Sequence, residues 1–170
     1  MAKTDPIRPT DDEARALARR LIAGARFAAL GVLTPEGAPQ VTRIAFGTAP
    51  DGGGLTLVSD LAAHTKALRA DPRASLLLGE PGPRGDPLTH PRLTLQALAG
   101  FVPRDGDDHA ALTELWLAAH PKARLYAGFA DFRFVRFTPV SAFLNGGFGR
   151  AFRLTAADLA PEATEPRRAG

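Results

Sequence analysis

A mainly β fold with peripheral helices is what this sequence predicts, and three observations predict it. Apolar runs of strand length recur along the chain, tight turn signals such as TPEG at 34–37 and DGGG at 51–54 separate them, and helical periodicity is confined to a few stretches that punctuate the strand runs. With so many strands joined mostly by hairpins, an antiparallel β-barrel of roughly six to seven strands with flanking helices is the economical way to remove sheet edges. A sandwich with flanking helices is the alternative.

The elements follow in order. Residues 10–13, TDDE, form a capping box, and Ala14, Leu17, Ala18, Leu21, Ile22 and Ala25 follow at helical spacing. Strands are expected over 26–33, 39–48 and 55–59, joined by the two tight turns into a meander. A helix over 64–70 stops at Asp71 and Pro72, and the near-continuous apolar run 74–78 reads as a strand buried on both sides. A Pro/Gly loop at 80–91 leads into a long strand at 92–102, where Leu93, Leu95, Ala97 and Ala99 share one face by period two. A helix is expected at 107–119, with Trp116 on its apolar stripe, then a short helical piece at 121–127. Strands at 132–137 and 140–144, a glycine corner at 146–149, a closing strand at 151–154 and a last helical turn from Thr155 complete the pattern.

One domain is expected over residues 10–160, with flexible termini at 1–9 and 161–170, where proline is frequent and apolar content low. The chain has 170 residues and no cysteine, which excludes a disulfide framework, a thiolate metal site and a cysteine nucleophile and fits a cytoplasmic location. No stretch approaches the roughly 18 apolar residues of a membrane span, so no membrane partner is expected. The net charge is only +3 and no basic block occurs, which argues against nucleic acid as a partner. No His/Glu/Asp group has metal-ligand spacing, and no protein-bound metal is expected.

The segment LTLVSDLAAHTKAL, residues 55–68, reads as a strand running through a polar turn into a helix. Donors suited to a phosphate crowd this turn. Ser59 and Thr65 offer hydroxyls, His64 an imidazole and Lys66, one of three lysines, an ammonium, beside the unpaired amides and positive dipole end of the following helix. That is the chemistry of a cradle for a phosphorylated cofactor. A capped helix with a solvated lysine is the other reading.

Four segments, in this order, carry a family resemblance: RFAALGVL with its turn at 26–37, SDLAAHTKAL at 59–68 with DPRASLL at 71–77, PRLTL at 91–95, and LYAGFADFR at 125–133 together with GGFGRA at 146–151. They resemble the FMN-binding split-barrel superfamily of pyridoxamine 5′-phosphate oxidase and, within it, the heme-utilisation (HugZ-like) branch. The resemblance implies a split β-barrel homodimer holding FMN between subunits. It places Thr42 and Arg43 on the strand under the flavin, Val58 and Ser59 against the ring or ribityl chain, His64, Thr65 and Lys66 on the phosphate, and Arg92 at the dimer-related flavin edge. Arg150 is a candidate for an anionic substrate in the shared cleft.

Two departures narrow the chemistry. Members that oxidise pyridoxamine phosphate end in an Arg-x-His element, and heme-degrading members ligate iron through a histidine near the C-terminus; here no histidine follows His120. Heme binding would need another ligand, with His64, His90, His109 and His120 as the candidates, of which His90 reads as a surface-loop residue and His109 and His120 as structural. The functional expectation is an FMN-dependent oxidoreductase acting on an unidentified small-molecule substrate. A heme-binding protein, a deazaflavin protein and a cofactor-free binding module are the alternatives.

Overall fold

The computed structural model describes residues 7–147 and 149–161, and among these nine strands join in one sheet flanked by four α-helices. The strands are β1 (Ile7–Arg8), β2 (Phe27–Leu33), β3 (Pro39–Ala45), β4 (Gly47–Thr48), β5 (Gly54–Ser59), β6 (Arg73–Leu78), β7 (Arg92–Phe101), β8 (Phe132–Asn145) and β9 (Ala151–Thr155). The helices are α1 (Asp12–Gly24), α2 (Ala63–Ala70), α3 (His109–Ala119) and α4 (Ala156–Leu159). The main path runs β1-β9-β8-β7-β6-β2-β3, while β5 pairs with β8 and β4. Every pairing is antiparallel except β1 with β9.

This is a split barrel. β3 pairs with β2 alone, so the sheet does not close between β3 and β5; there the Thr56 hydroxyl donates to the Ala45 carbonyl at 2.6 Å. Inside the barrel, Leu30, Leu76, Leu93, Leu95, Val135, Phe137 and Leu144 pack with Ala14, Ala18 and Ile22 of α1 and Ala67 and Leu68 of α2. Full burial of such aliphatic and aromatic side chains contributes about 1.5–3 kcal/mol each. Outside the barrel, α3 lays Leu112 and Trp116 over Leu55, Leu57 and Phe134. No helix among the described residues is long and apolar enough to cross a membrane.

Several local features depart from the sequence pattern. The cap of α1 is Asp11, whose carboxylate accepts from the Ala14 amide at 2.8 Å, while the Thr10 hydroxyl donates to the Arg153 carbonyl instead. Ile7 and Arg8, within the expected N-terminal fray, pair with Ala151 and Phe152. The strand expected at 39–48 breaks at Phe46, whose side chain is buried in the barrel while its amide bonds to the Arg26 carbonyl. The two strands expected at 132–144 are one strand of 14 residues. Pro139 is tolerated within it because it lies opposite Ala97, at the register shift between Gln96 and Ala97. The helical piece after α3 is a 3₁₀ turn, Pro121–Leu125.

β6 corrects the sequence reading most directly. It alternates instead of being buried on both sides: Ala74, Leu76 and Leu78 face the interior and Leu77 is 46% exposed on the outer face. The strand buried on both faces is β5, with Val58 toward the barrel interior and Leu55 and Leu57 under α3. At the glycine corner Gly147 and Gly149 have φ of 115° and 68°, the left-handed region open to glycine; Phe148 lies outside the described residues.

Candidate functional site

The β5–α2 turn begins at Ser59, paired with Phe132 of β8. The Ser59 hydroxyl donates to Asp131 Oδ2 at 2.6 Å and accepts from the Leu61 amide at 3.1 Å. The Thr65 side chain is fully buried, and its hydroxyl donates to the Ser59 carbonyl at 2.7 Å. Both hydroxyls therefore hold the turn in shape. That leaves His64 and Lys66 as the side chains with capacity for an outside ligand. Lys66 is exposed. His64 is half-buried, its Nε2 buried without a hydrogen-bond partner, and burial pushes its imidazole below the ordinary histidine pKa. A neutral ring of this kind still offers one N–H. The N-cap of α2 is Ala62, which has no side-chain acceptor, and no acidic residue occupies the first turn, so the positive end of the helix dipole is not neutralised from within α2.

Arg43 and Arg92 belong to a different place. They line a cleft of about 460 Å³ with Arg20, Arg26, Phe27 and Leu77, against a single acidic lining residue, Glu80. Alternation along β3 explains the position of Arg43: it pairs with Ala29 on the outer face, its guanidinium 5.4 Å from the centre of the Phe27 ring. Thr42, its neighbour, pairs with the buried Leu30 and so lies on the opposite face of the strand. Arg92 and Arg26 are anchored by carbonyls. Arg92 Nη1 donates to Leu88 at 2.8 Å, and the Arg26 guanidinium donates to Ala119. His90 also lines this cleft, but both of its ring nitrogens are engaged: Nδ1 accepts from the Gly82 amide at 3.2 Å and Nε2 lies 2.8 Å from the Arg84 carbonyl.

The site residues read from the sequence thus fall into two groups. Val58, Ser59, His64, Thr65 and Lys66 gather at the β5–α2 turn, with the Val58 side chain buried in the barrel, and Arg43 and Arg92 gather in the arginine cleft. Arg150 and Thr42 join neither: Arg150 Nη2 pairs with Glu13 of α1 at 2.9 Å, and Thr42 lies on the face of β3 opposite Arg43. Arg20 and Arg26 complete the cleft from α1 and from the residue before β2. His120 lies over Trp116, with ring centroids 4.1 Å apart, and its Nε2 is 2.9 Å from the Phe46 carbonyl, a structural position. On the outer face of the sheet a groove of about 550 Å³ runs past Val41, Leu98 and Val140, which are 72%, 46% and 51% exposed.

The family model for pyridoxamine 5′-phosphate oxidase matches residues 14–145, which span the barrel from α1 to the end of β8. The chain belongs to that family. A solved structure 49% identical to it, covering 91% of this chain and 99% of its own, superposes with a TM-score of 0.81. A heme binding protein from Mycobacterium smegmatis is 31% identical, covers 90% of this chain and 61% of its own, and has a TM-score of 0.79. The non-canonical heme oxygenase HOZ, chloroplastic, of Arabidopsis thaliana is 38% identical over 118 residues, 69% of this chain and 35% of that protein. The chain therefore spans about a third of the length of this curated relative. The arginine cleft and the β5–α2 turn are two places where this member of the pyridoxamine 5′-phosphate oxidase family carries donors for an anionic ligand.

Proposed function

We propose that this member of the family binds heme and acts in heme utilisation, as a cytoplasmic homodimer. The arginine cleft carries the reading. Guanidiniums around the apolar surfaces of Leu21, Phe27 and Leu77 suit a planar apolar ring that bears two carboxylates. The heme binding protein and the heme oxygenase among the relatives support the same class of ligand. When bound, heme supplies the iron and its redox chemistry. Arg43 and Arg92 pair with carboxylates at the cleft edge, and Phe27 and Leu77 exclude water from the ring. His90 is the histidine that lines this cleft, and both of its ring nitrogens are engaged within the fold, so the arginines and the apolar wall would be what holds heme there. The outer groove lined by Val41, Leu98 and Val140 is the surface that a second copy covers.

The β5–α2 turn favours a second reading, an FMN-dependent oxidoreductase acting on a small-molecule substrate. There His64 and Lys66 at the start of α2 would hold the phosphate, Thr65 fixes the turn, and Val58 and Ser59 would offer backbone groups to the flavin, which supplies hydride and electron transfer when bound. A deazaflavin fits the same donors. Oxidation of pyridoxamine phosphate itself is not proposed, because the segment 149–154, GRAFRL, carries no Arg-x-His element.

Titrating the purified chain with hemin and, separately, with FMN decides between the two. A saturable Soret band that weakens in Arg43→Glu and Arg92→Glu is expected. Flavin binding without a Soret response replaces the heme reading with the oxidoreductase one. Silence to both leaves a cofactor-free binding module.

A further inference from the structure

A second basic cleft, of about 390 Å³, is lined by Arg69, Phe101, Val102, Pro103, Arg104 and Arg133 and shares no lining residue with the first. Its three guanidiniums come from α2, from the connection after β7 and from the start of β8. Each is held in place. Arg69 lies over the Phe101 ring, 4.3 Å from its centre, and donates through Nη2 to Asp60 Oδ1 at 2.7 Å. Arg133 Nη2 stands 3.1 Å from the other Asp60 oxygen. Arg104 donates to the carbonyls of Phe129 at 2.6 Å, Phe132 at 3.1 Å and Gly128 at 3.4 Å.

Position is therefore well determined, but charge is not balanced. Asp60 divides one negative charge between Arg69 and Arg133, and the carbonyls around Arg104 carry none. Arg133 Nη1 is buried and finds no hydrogen-bond partner. A charged donor removed from water without an acceptor loses its hydration and gains nothing in return. An oxyanion in the cleft supplies the missing charge.

We infer that this cleft binds a phosphate dianion, either free phosphate or the phosphate group of a small molecule. Guanidinium forks match phosphate oxygens geometrically, and a dianion answers the charge imbalance better than a carboxylate does. Asp60 has two opposed effects: it positions Arg69 and Arg133, and it repels the ligand.

Calorimetric titration of the full chain with inorganic phosphate, and with acetate at matched ionic strength, tests this. Saturable phosphate binding at least about tenfold tighter than acetate is expected, with a loss of at least about tenfold in Arg133→Gln, the scale of one hydrogen bond to a charged group. Asp60→Asn tightens phosphate binding, and Lys122→Ala, on the 3₁₀ turn after α3, leaves it unchanged. A sugar phosphate that binds tighter than inorganic phosphate identifies a phosphorylated ligand, and equal affinity identifies the free ion. No saturable binding, equal affinity for acetate, indifference to Arg133→Gln or loss in Lys122→Ala overturns the assignment. Should Arg133→Gln fail to fold, Asp60→Asn decides: unchanged or weaker phosphate binding overturns it.

Discussion

The Thr65 hydroxyl donates to the Ser59 carbonyl at 2.7 Å and ties the first turn of α2 to the last residue of β5. Thr65 is fully buried, and removing its hydroxyl leaves the Ser59 carbonyl still accepting from the Ala62 amide at 3.1 Å. Thr65→Val is expected to destabilise the protein by about 0.5–1.5 kcal/mol, with Thr65→Ser closer to the parent. Urea unfolding of the three proteins measures this, and a Thr65→Val midpoint equal to the parent's would show that the bond contributes nothing.

Lys66 is exposed on the same turn and bears no such structural duty. On the flavin reading, Lys66→Ala weakens FMN binding by about 1.5–3 kcal/mol while leaving the circular dichroism spectrum and unfolding midpoint unchanged. Equal FMN affinity in parent and variant removes Lys66 from the phosphate site.

Burial pushes the His64 imidazole below its ordinary pKa, and burial does the same at His120, where Arg26 adds to the fall and the Phe46 carbonyl opposes it. The folded protein therefore binds protons at these rings less readily than the unfolded chain. The stability they contribute is fully present above the unfolded value of about 6.5 and is lost as pH falls through it toward the folded values. The urea midpoint is expected to drop between pH 7 and pH 5, and His64→Gln to make that drop shallower. An identical pH profile in the variant would assign the whole effect elsewhere.

Val41 and Val140 expose 72% and 51% of their surface on the outer face of the sheet. If a second copy covers that face, Val140→Asp places a charge in an apolar interface and splits the dimer without unfolding either copy. Sedimentation velocity at several concentrations distinguishes the outcomes. A monomeric parent, or a Val140→Asp dimer as tight as the parent's, rules out this face as the interface.

Much of the fold was legible because its punctuation is local. The turns at 34–37 and 51–54, the Asp71-Pro72 stop and the glycine corner each act through backbone preferences that a few residues carry by themselves. What depended on distant partners was not legible. Pro139 reads as a strand break until the irregularity at Ala97 across the ladder is known. Leu77 reads as interior in an apolar run, although period two turns it outward. The candidate sites divide the same way. The donors of the β5–α2 turn are consecutive in sequence and could be gathered by eye, but the engagement of the Thr65 hydroxyl with Ser59 could not. Arg20, Arg26, Arg43 and Arg92 lie on four segments, and only the packing of α1 against the sheet and the β6–β7 loop brings them to one cleft. In a chain this rich in arginine, no spacing rule distinguishes them from the rest.

β5 and β8 each send side chains to both hydrophobic clusters: Val58, Val135 and Phe137 to one, Leu55, Leu57 and Phe134 to the other. Neither cluster can open while its neighbour keeps a complete wall. The helical layer outside the barrel is thus not a separable appendage, and chain opening is expected to be cooperative. Backbone amides of these two strands should exchange with solvent only at the rate of global unfolding, while those of the 80–91 loop exchange through local fluctuations.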